Sequence, residues 1–190
     1  YSEIQSKEHI AKGQFADIFR GTYTVLEGID VAIKCYRATS KKANKEWGEE
    51  IVALQQLRGP TLLLFYGLGS IDYPGKRLRY LITEFAKMGD LKTYIEKLKA
   101  DGELFDVYQA MKFTMDITEA LAYLHEKQFV HGKIKSSNIL VAADGRCKLS
   151  VSSMCSISGT ISAFSNDVRD VRFLAPETFT SHTASFEAPS

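Results

Sequence analysis

His131-Gly132-Lys133-Ile134-Lys135-Ser136-Ser137-Asn138 joins a long helical pattern to a short strand, and each flank has its own period. Upstream, from Val107 to Glu126, apolar residues recur at Ala110, Phe113, Ile117, Leu121 and Leu124. Those three- and four-residue steps predict an amphipathic helix with one buried face. Met111 and Met115 on the same helix are expected to pack rather than to form a cofactor box. Downstream, Asn138 to Val141 and Cys147 to Leu149 read as two short strands around an Asp144-Gly145 turn.

Further outward the pattern is mostly strand, then mostly helix. Ile18 to Thr24 and Ile29 to Tyr36 are rich in β-branched and aromatic residues, with the turn-prone Glu27-Gly28 between them. From Lys41 to Leu57 the period changes, with Trp47, Ile51, Leu54 and Leu57 on one helical stripe and Lys41, Lys42 and Lys45 on a solvated face. Leu62 to Leu68 and Leu78 to Phe85 predict two more strands, split at Tyr73-Pro74-Gly75, with Lys76, Arg77 and Arg79 as a loop rim. Asp90 is placed to cap a helix from Leu91 to Leu98. Strands with one helix, followed by helices, predict two lobes with a hinge near Phe85 to Gly89.

Composition narrows the classes. The 190 residues are 45% hydrophobic and 25% charged, which excludes disordered, collagen-like and disulfide-scaffold chains. A net charge of +1 gives no field that favours nucleic acid or an anionic membrane. No apolar run approaches the ~20 residues that span a bilayer. Cys35, Cys147 and Cys155 are an odd, scattered set that suits reduced thiols in the cytoplasm.

Three further motifs stand in order with the first loop. Ala11-Lys12-Gly13-Gln14-Phe15-Ala16-Asp17-Ile18 lies between strands and keeps the middle glycine of G-x-G-x-x-G-x-V; by itself it could be an ordinary hairpin. Val31-Ala32-Ile33-Lys34 matches V-A-I-K, and Ala175-Pro176-Glu177 matches A-P-E. Together with the frame of H-R-D-L-x-x-x-N at 131–138, the chain resembles a protein kinase domain over its whole length. The resemblance implies an α+β, bilobal fold. A five-stranded N-lobe sheet with one helix would occupy about residues 1–85. A mostly helical C-lobe, truncated after the activation segment, would occupy 86–190, with its later helices missing. Beginning at Tyr1 and ending soon after A-P-E, the chain is expected to be a piece of a longer protein or a natural truncation.

The resemblance also assigns residues. Ala11 and Gly13 fall in the phosphate loop. Ile18, Ala32 and Leu140 would sandwich an adenine ring. Lys34 would meet the α- and β-phosphates with Glu50 as its partner. Thr83 takes the gatekeeper position, and Glu84 to Ala86 the hinge. Asn138 remains as a metal residue. ATP therefore has a place.

The catalytic chemistry departs from the family pattern. Lys133 stands where an aspartate orients the substrate hydroxyl, and a protonated lysine cannot accept a proton. Val151-Ser152-Ser153 replaces D-F-G, so the principal Mg²⁺ carboxylate is lost and Asn138 alone is a weak metal site. Ser152 stands for the phenylalanine that would stack among His131, Leu54 and Phe65. Gly132 stands for the arginine that receives an activation-segment phosphate. Asp144, Asp167 and Asp170 are not positioned to replace the lost carboxylate.

These departures resemble a pseudokinase. The loop itself is similar to that of the mixed lineage kinase domain-like pseudokinases of the tyrosine kinase-like branch, which act in programmed cell death; plant receptor-like pseudokinases have similar loops. The function implied is a signalling switch or scaffold for protein partners. Ser156, Ser158, Thr160 and Ser162 would be phosphosites for an upstream Ser/Thr kinase beside Arg169 and Arg172. A weakly active Ser/Thr-type kinase and an inert fragment of a larger protein are the alternatives. Nucleic acid and membrane are not expected as partners, and oligomeric state is not legible.

Overall fold

The chain is seen in a computed structural model that describes residues 4–12, 16–36, 47, 51, 54–73, 76–151 and 173. Its contacts divide it into two units, residues 1–45 with 64–86, and residues 46–63 with 87–190. The division differs from the sequence expectation in placing 46–63 with the second unit. Leu62 explains part of this, because it bridges to Leu149 there.

The first unit is an antiparallel sheet of five strands in the order β1-β2-β3-β5-β4. The strands are β1 (Ile4–Lys12), β2 (Ala16–Tyr23), β3 (Ile29–Tyr36), β4 (Phe65–Tyr73) and β5 (Lys76–Glu84). Alternation along β3 sends Val31 and Ile33 to one face, where they form the core with Ile4, Tyr80 and Ile82. Phe19, Tyr23, Cys35 and Tyr66 pack half-buried around that cluster. Two glycines permit close approach on this side. Gly69 pairs with Tyr80, whose ring occupies the space a Cβ at 69 would need. A Cβ at Gly21 would meet Ile4 Cγ2 at 2.6 Å and Ile33 Cδ1 at 2.9 Å.

Two expectations for this region need correction. The strand predicted from Leu62 begins at Phe65 instead. Leu63 N–H donates to Leu149 O at 2.9 Å and Leu149 N–H to Thr61 O at 2.8 Å, so the backbone just before β4 is already committed to the second unit's hairpin. β5 likewise starts at Lys76, two residues before the predicted Leu78, and ends at Glu84. Of the helix predicted over Lys41 to Leu57, Trp47, Ile51 and residues 54–56 are helical, and the other residues up to 53 lie outside the described set.

The second unit carries α1 (Leu91–Ala100), α2 (Val107–Glu126), β6 (Ile139–Val141) and β7 (Cys147–Leu149). Asp90 caps α1 as expected, accepting from Thr93 N–H at 2.9 Å. The helix runs two residues past the predicted Leu98. α2 has the predicted ends, but its buried line is Phe113, Asp116, Ala120 and Leu124. Ala110, Ile117 and Leu121 are half-buried beside it. Met111 and Met115 are 61% and 71% exposed, contrary to the packing role expected of them. Each is two residues from Phe113, roughly 200° around the helix, and so falls on the far side from the buried line.

Asp116 anchors α2 to the hairpin. It accepts from Arg146 Nη2 at 3.1 Å and Nε at 3.3 Å, and from Cys147 N–H at 2.8 Å. The β6–β7 turn forms at Asp144-Gly145, with Gly145 at φ 75°, a left-handed conformation that suits glycine. Asn138 is not the first strand residue. It closes a 3₁₀ turn, Ser136–Asn138, with its N–H donating to Lys135 O at 2.8 Å.

Candidate functional site

The nucleotide-site residues expected in the first unit share a face. Across β2 and β3, Ile18 pairs with Lys34 and Arg20 with Ala32; across β3 and β5, Lys34 pairs with Leu81 and Ala32 with Thr83. Directly paired residues lie on the same side of a sheet. Ile18, Ala32, Lys34 and Thr83 therefore stand opposite the Val31–Ile33 core. Lys34 Nζ lies 5.0 Å from the centre of the Tyr36 ring, two residues along the same face. Ala11, exposed, pairs with Ile18 from β1, while the Ala16 methyl is buried. Gly13 and Glu50, and with Glu50 the expected Lys34 pair, lie outside the described residues.

The end of β5 is held firmly. Glu84 N–H donates to Leu64 O at 2.9 Å, and its Oε1 accepts from Leu64 N–H at 2.8 Å. Thr83 is buried and its Oγ1 donates to Glu84 O at 3.3 Å. Phe85 and Ala86 follow, both half-buried. An apolar pair, a cation and a fixed strand end on one face fit an adenine nucleotide in kind.

The catalytic-loop frame belongs to the second unit and is built around His131, which is 1% exposed. Lys133 N–H donates to His131 Nδ1 at 3.2 Å, so the ring's proton sits on Nε2, which donates to Ser150 O at 2.9 Å. Burial pushes the His131 pKa down to about 4, against a smaller opposing effect of the Ser150 bond. Asn138 Nδ2 donates to Lys133 O at 2.7 Å, and Ser150 N–H donates to Asn138 O at 2.9 Å. The His131 ring and the Asn138 amide thus tie loop and β7 end together, and residue 133 enters through its N–H and C=O, which any residue but proline supplies. The side chain at 133 is free to change without losing the frame.

What the frame presents is not a carboxylate pair. Val151 follows Ser150 and is 3% exposed, an apolar side chain at the expected metal-ligand position. Asn138 commits its amide nitrogen to Lys133 O, which leaves Oδ1, the atom that could meet a cation, outside that bond. Asp144 accepts from Arg146 N–H in its own turn at 3.1 Å, and Asp116 is occupied by Arg146 and Cys147. Among the described residues no cluster of three or more His, Cys, Asp or Glu could hold a metal ion. Mg²⁺ favours carboxylate and phosphate oxygens, and the described residues of this frame offer it the Asn138 amide oxygen. Leu140, the second-unit residue expected against adenine, is half-buried on β6 opposite Lys148 and bridges to Asp90.

Ser156, Ser158, Thr160, Ser162 and Ala175-Pro176-Glu177 lie outside the described residues. Two residues of consequence were not singled out by sequence. Asp116 sits within the apolar stripe of α2, and an acid at a buried helical position is the signal that could have marked it. Arg20 lies on the nucleotide face, where strand alternation from Ile18 would have placed it.

Residues 4–188 match the family described as protein tyrosine and serine/threonine kinase. The chain belongs to the protein kinase family. It is 32% identical over 150 residues to a RasGEF domain-containing serine/threonine-protein kinase X of Dictyostelium discoideum, covering 78% of this chain and 14% of that protein. It is 27% identical over 148 residues to the mouse tyrosine-protein kinase Srms, covering 78% of this chain and 28% of the relative. With the Arabidopsis thaliana serine/threonine-protein kinase STY46 it shares 25% identity over 170 residues, 88% of this chain and 28% of the relative. The chain thus spans less than a third of these relatives' lengths. Kinases of this family bind ATP with Mg²⁺. Among the described residues, no helix is long and apolar enough to cross a membrane.

Proposed function

We propose that this kinase-family chain is a pseudokinase, a signalling switch or scaffold for protein partners whose first unit can hold ATP without efficient phosphoryl transfer. One observation carries the reading. Asn138 Nδ2 bonds to Lys133 O at 2.7 Å, which keeps the catalytic-loop register while the residue in the base position is a lysine. The loss of a general base costs ~10²–10⁴ in rate. Val151, buried at the metal-ligand position, supports the same conclusion, although such losses do not simply add. The loop's similarity to mixed lineage kinase domain-like pseudokinases agrees with this reading and points to the tyrosine kinase-like branch. Phosphorylation of Ser156, Ser158, Thr160 or Ser162 by an upstream Ser/Thr kinase in the cytoplasm would be the switch input.

The test is transfer of labelled phosphate from ATP with Mg²⁺, to the chain itself and to mixed Ser/Thr and Tyr peptides. The expected result is incorporation no greater than in Lys34→Ala. The relatives named as kinases favour a second reading, a weakly active enzyme. Incorporation that disappears in Lys34→Ala would establish that reading and end the first.

A further inference from the structure

We propose that Arg20 is a positioning residue that sets the hinge segment after β5 for adenine binding; this role rests on the nucleotide reading above. Arg20 stands beside Ala32 on the nucleotide face of the sheet. Its Nη2 donates to Asp30 Oδ2 at 2.7 Å, and its guanidinium carbon lies 5.0 Å from the centre of the Phe85 ring. Register makes these contacts coherent. Val31 pairs with Glu84, the last residue of β5, so the chain leaves the sheet beside Val31 and its neighbour Asp30. One planar cation thus links β2, β3 and the segment leaving β5. Asp30 fixes the guanidinium at one edge, while its plane is available to Phe85. Glu84 is held on its other side by both bonds to Leu64. Phe85 lies beyond those bonds, and the Arg20 contact extends the restraint to it.

The ion pair itself adds little to global stability, because the Arg20 side chain is 43% exposed. Its effect is expected on the local placement of the hinge backbone. A placed hinge acts on the base and not on the phosphates. The affinities of ATP and of adenosine should therefore fall by the same factor when Arg20 is removed. Exposed cation–π contacts set the scale at roughly fivefold.

The experiment is calorimetric titration of the chain with ATP and with adenosine, in chelator, for the native protein, Arg20→Met, Phe85→Leu and the double variant. A thermal melt of each accompanies it. The expected result is an equal loss for both ligands in Arg20→Met, with an almost unchanged melt, and no further loss when Arg20→Met is added to Phe85→Leu. A loss confined to ATP would make Arg20 a phosphate contact and overturn the proposal. Full additivity with Phe85→Leu, or unchanged affinity for both ligands, would overturn it as well. A native chain that binds neither ligand would instead overturn the nucleotide reading, and this role with it.

Discussion

Replacing His131 by glutamine should remove one defined contribution to the chain's loss of stability in mild acid. In the folded chain the ring is buried, accepts from Lys133 N–H and donates to Ser150 O, an arrangement that requires the neutral form. Its pKa is lowered from 6.5 to about 4. The unfolded chain therefore takes up a proton below about pH 6.5, while the folded chain resists until about pH 4. Between those limits the unfolded state binds more protons, so stability falls as pH falls and rises as pH rises. A tenfold change in proton affinity is worth about 1.4 kcal/mol, which makes the full effect about 3 kcal/mol. It is complete near pH 4 and absent above about pH 7. Little discount for solvent screening applies to a ring 1% exposed. Urea denaturation from about pH 4.5 to 7.5 measures the profile for the native chain and His131→Gln. The difference between the two profiles should slope upward with pH across that window. A flat difference would refute the buried neutral ring and, with it, the tie between the loop and Ser150.

Other substitutions test separate parts of the fold. Asp116→Ala leaves Cys147 N–H and Arg146 without their buried acceptor; urea midpoints should fall by an amount equivalent to about 3 kcal/mol. A loss below about 0.5 kcal/mol would contradict the anchoring of α2 to β7. Gly21→Ala places a methyl 2.6 Å from Ile4 Cγ2 and should cost about 1–3 kcal/mol by overpacking, read as a lowered melting midpoint. Asp90→Ala removes the α1 cap and should cost about 1 kcal/mol, whereas Asp90→Asn should retain most of it.

The parts of the fold legible in sequence are those where local chemistry and tertiary packing agree. β3, with its alternating Val31, Ile33 and Cys35, and α2, with its stripe from Ala110 to Leu124, fall where periodicity places them. Asp90 and Gly145 mark a helix start and a turn by backbone chemistry alone. Leu62 to Leu64 mislead because an apolar run has the same composition whether it lies in a strand or packs against a hairpin. Only the bonds of Leu63 and Thr61 with Leu149, more than eighty residues away, separate the two. Met111 and Met115 suit a core by residue type, but type does not reveal which side of α2 is covered. The loop residues of the site are legible as positions in a frame. The main-chain bonds through Lys133 cannot be read from the lysine, because they do not depend on it.

On the proposed reading, this kinase-family chain retains a nucleotide face but not the metal chemistry that transfers phosphate. Titration of the chain with ATP, once with Mg²⁺ and once in chelator, tests it most directly. The predicted result is binding of equal affinity in both conditions, abolished by Lys34→Ala. Binding that appears only with Mg²⁺ would contradict the claim, because it would require a metal-holding carboxylate that Lys133 and Val151 do not supply.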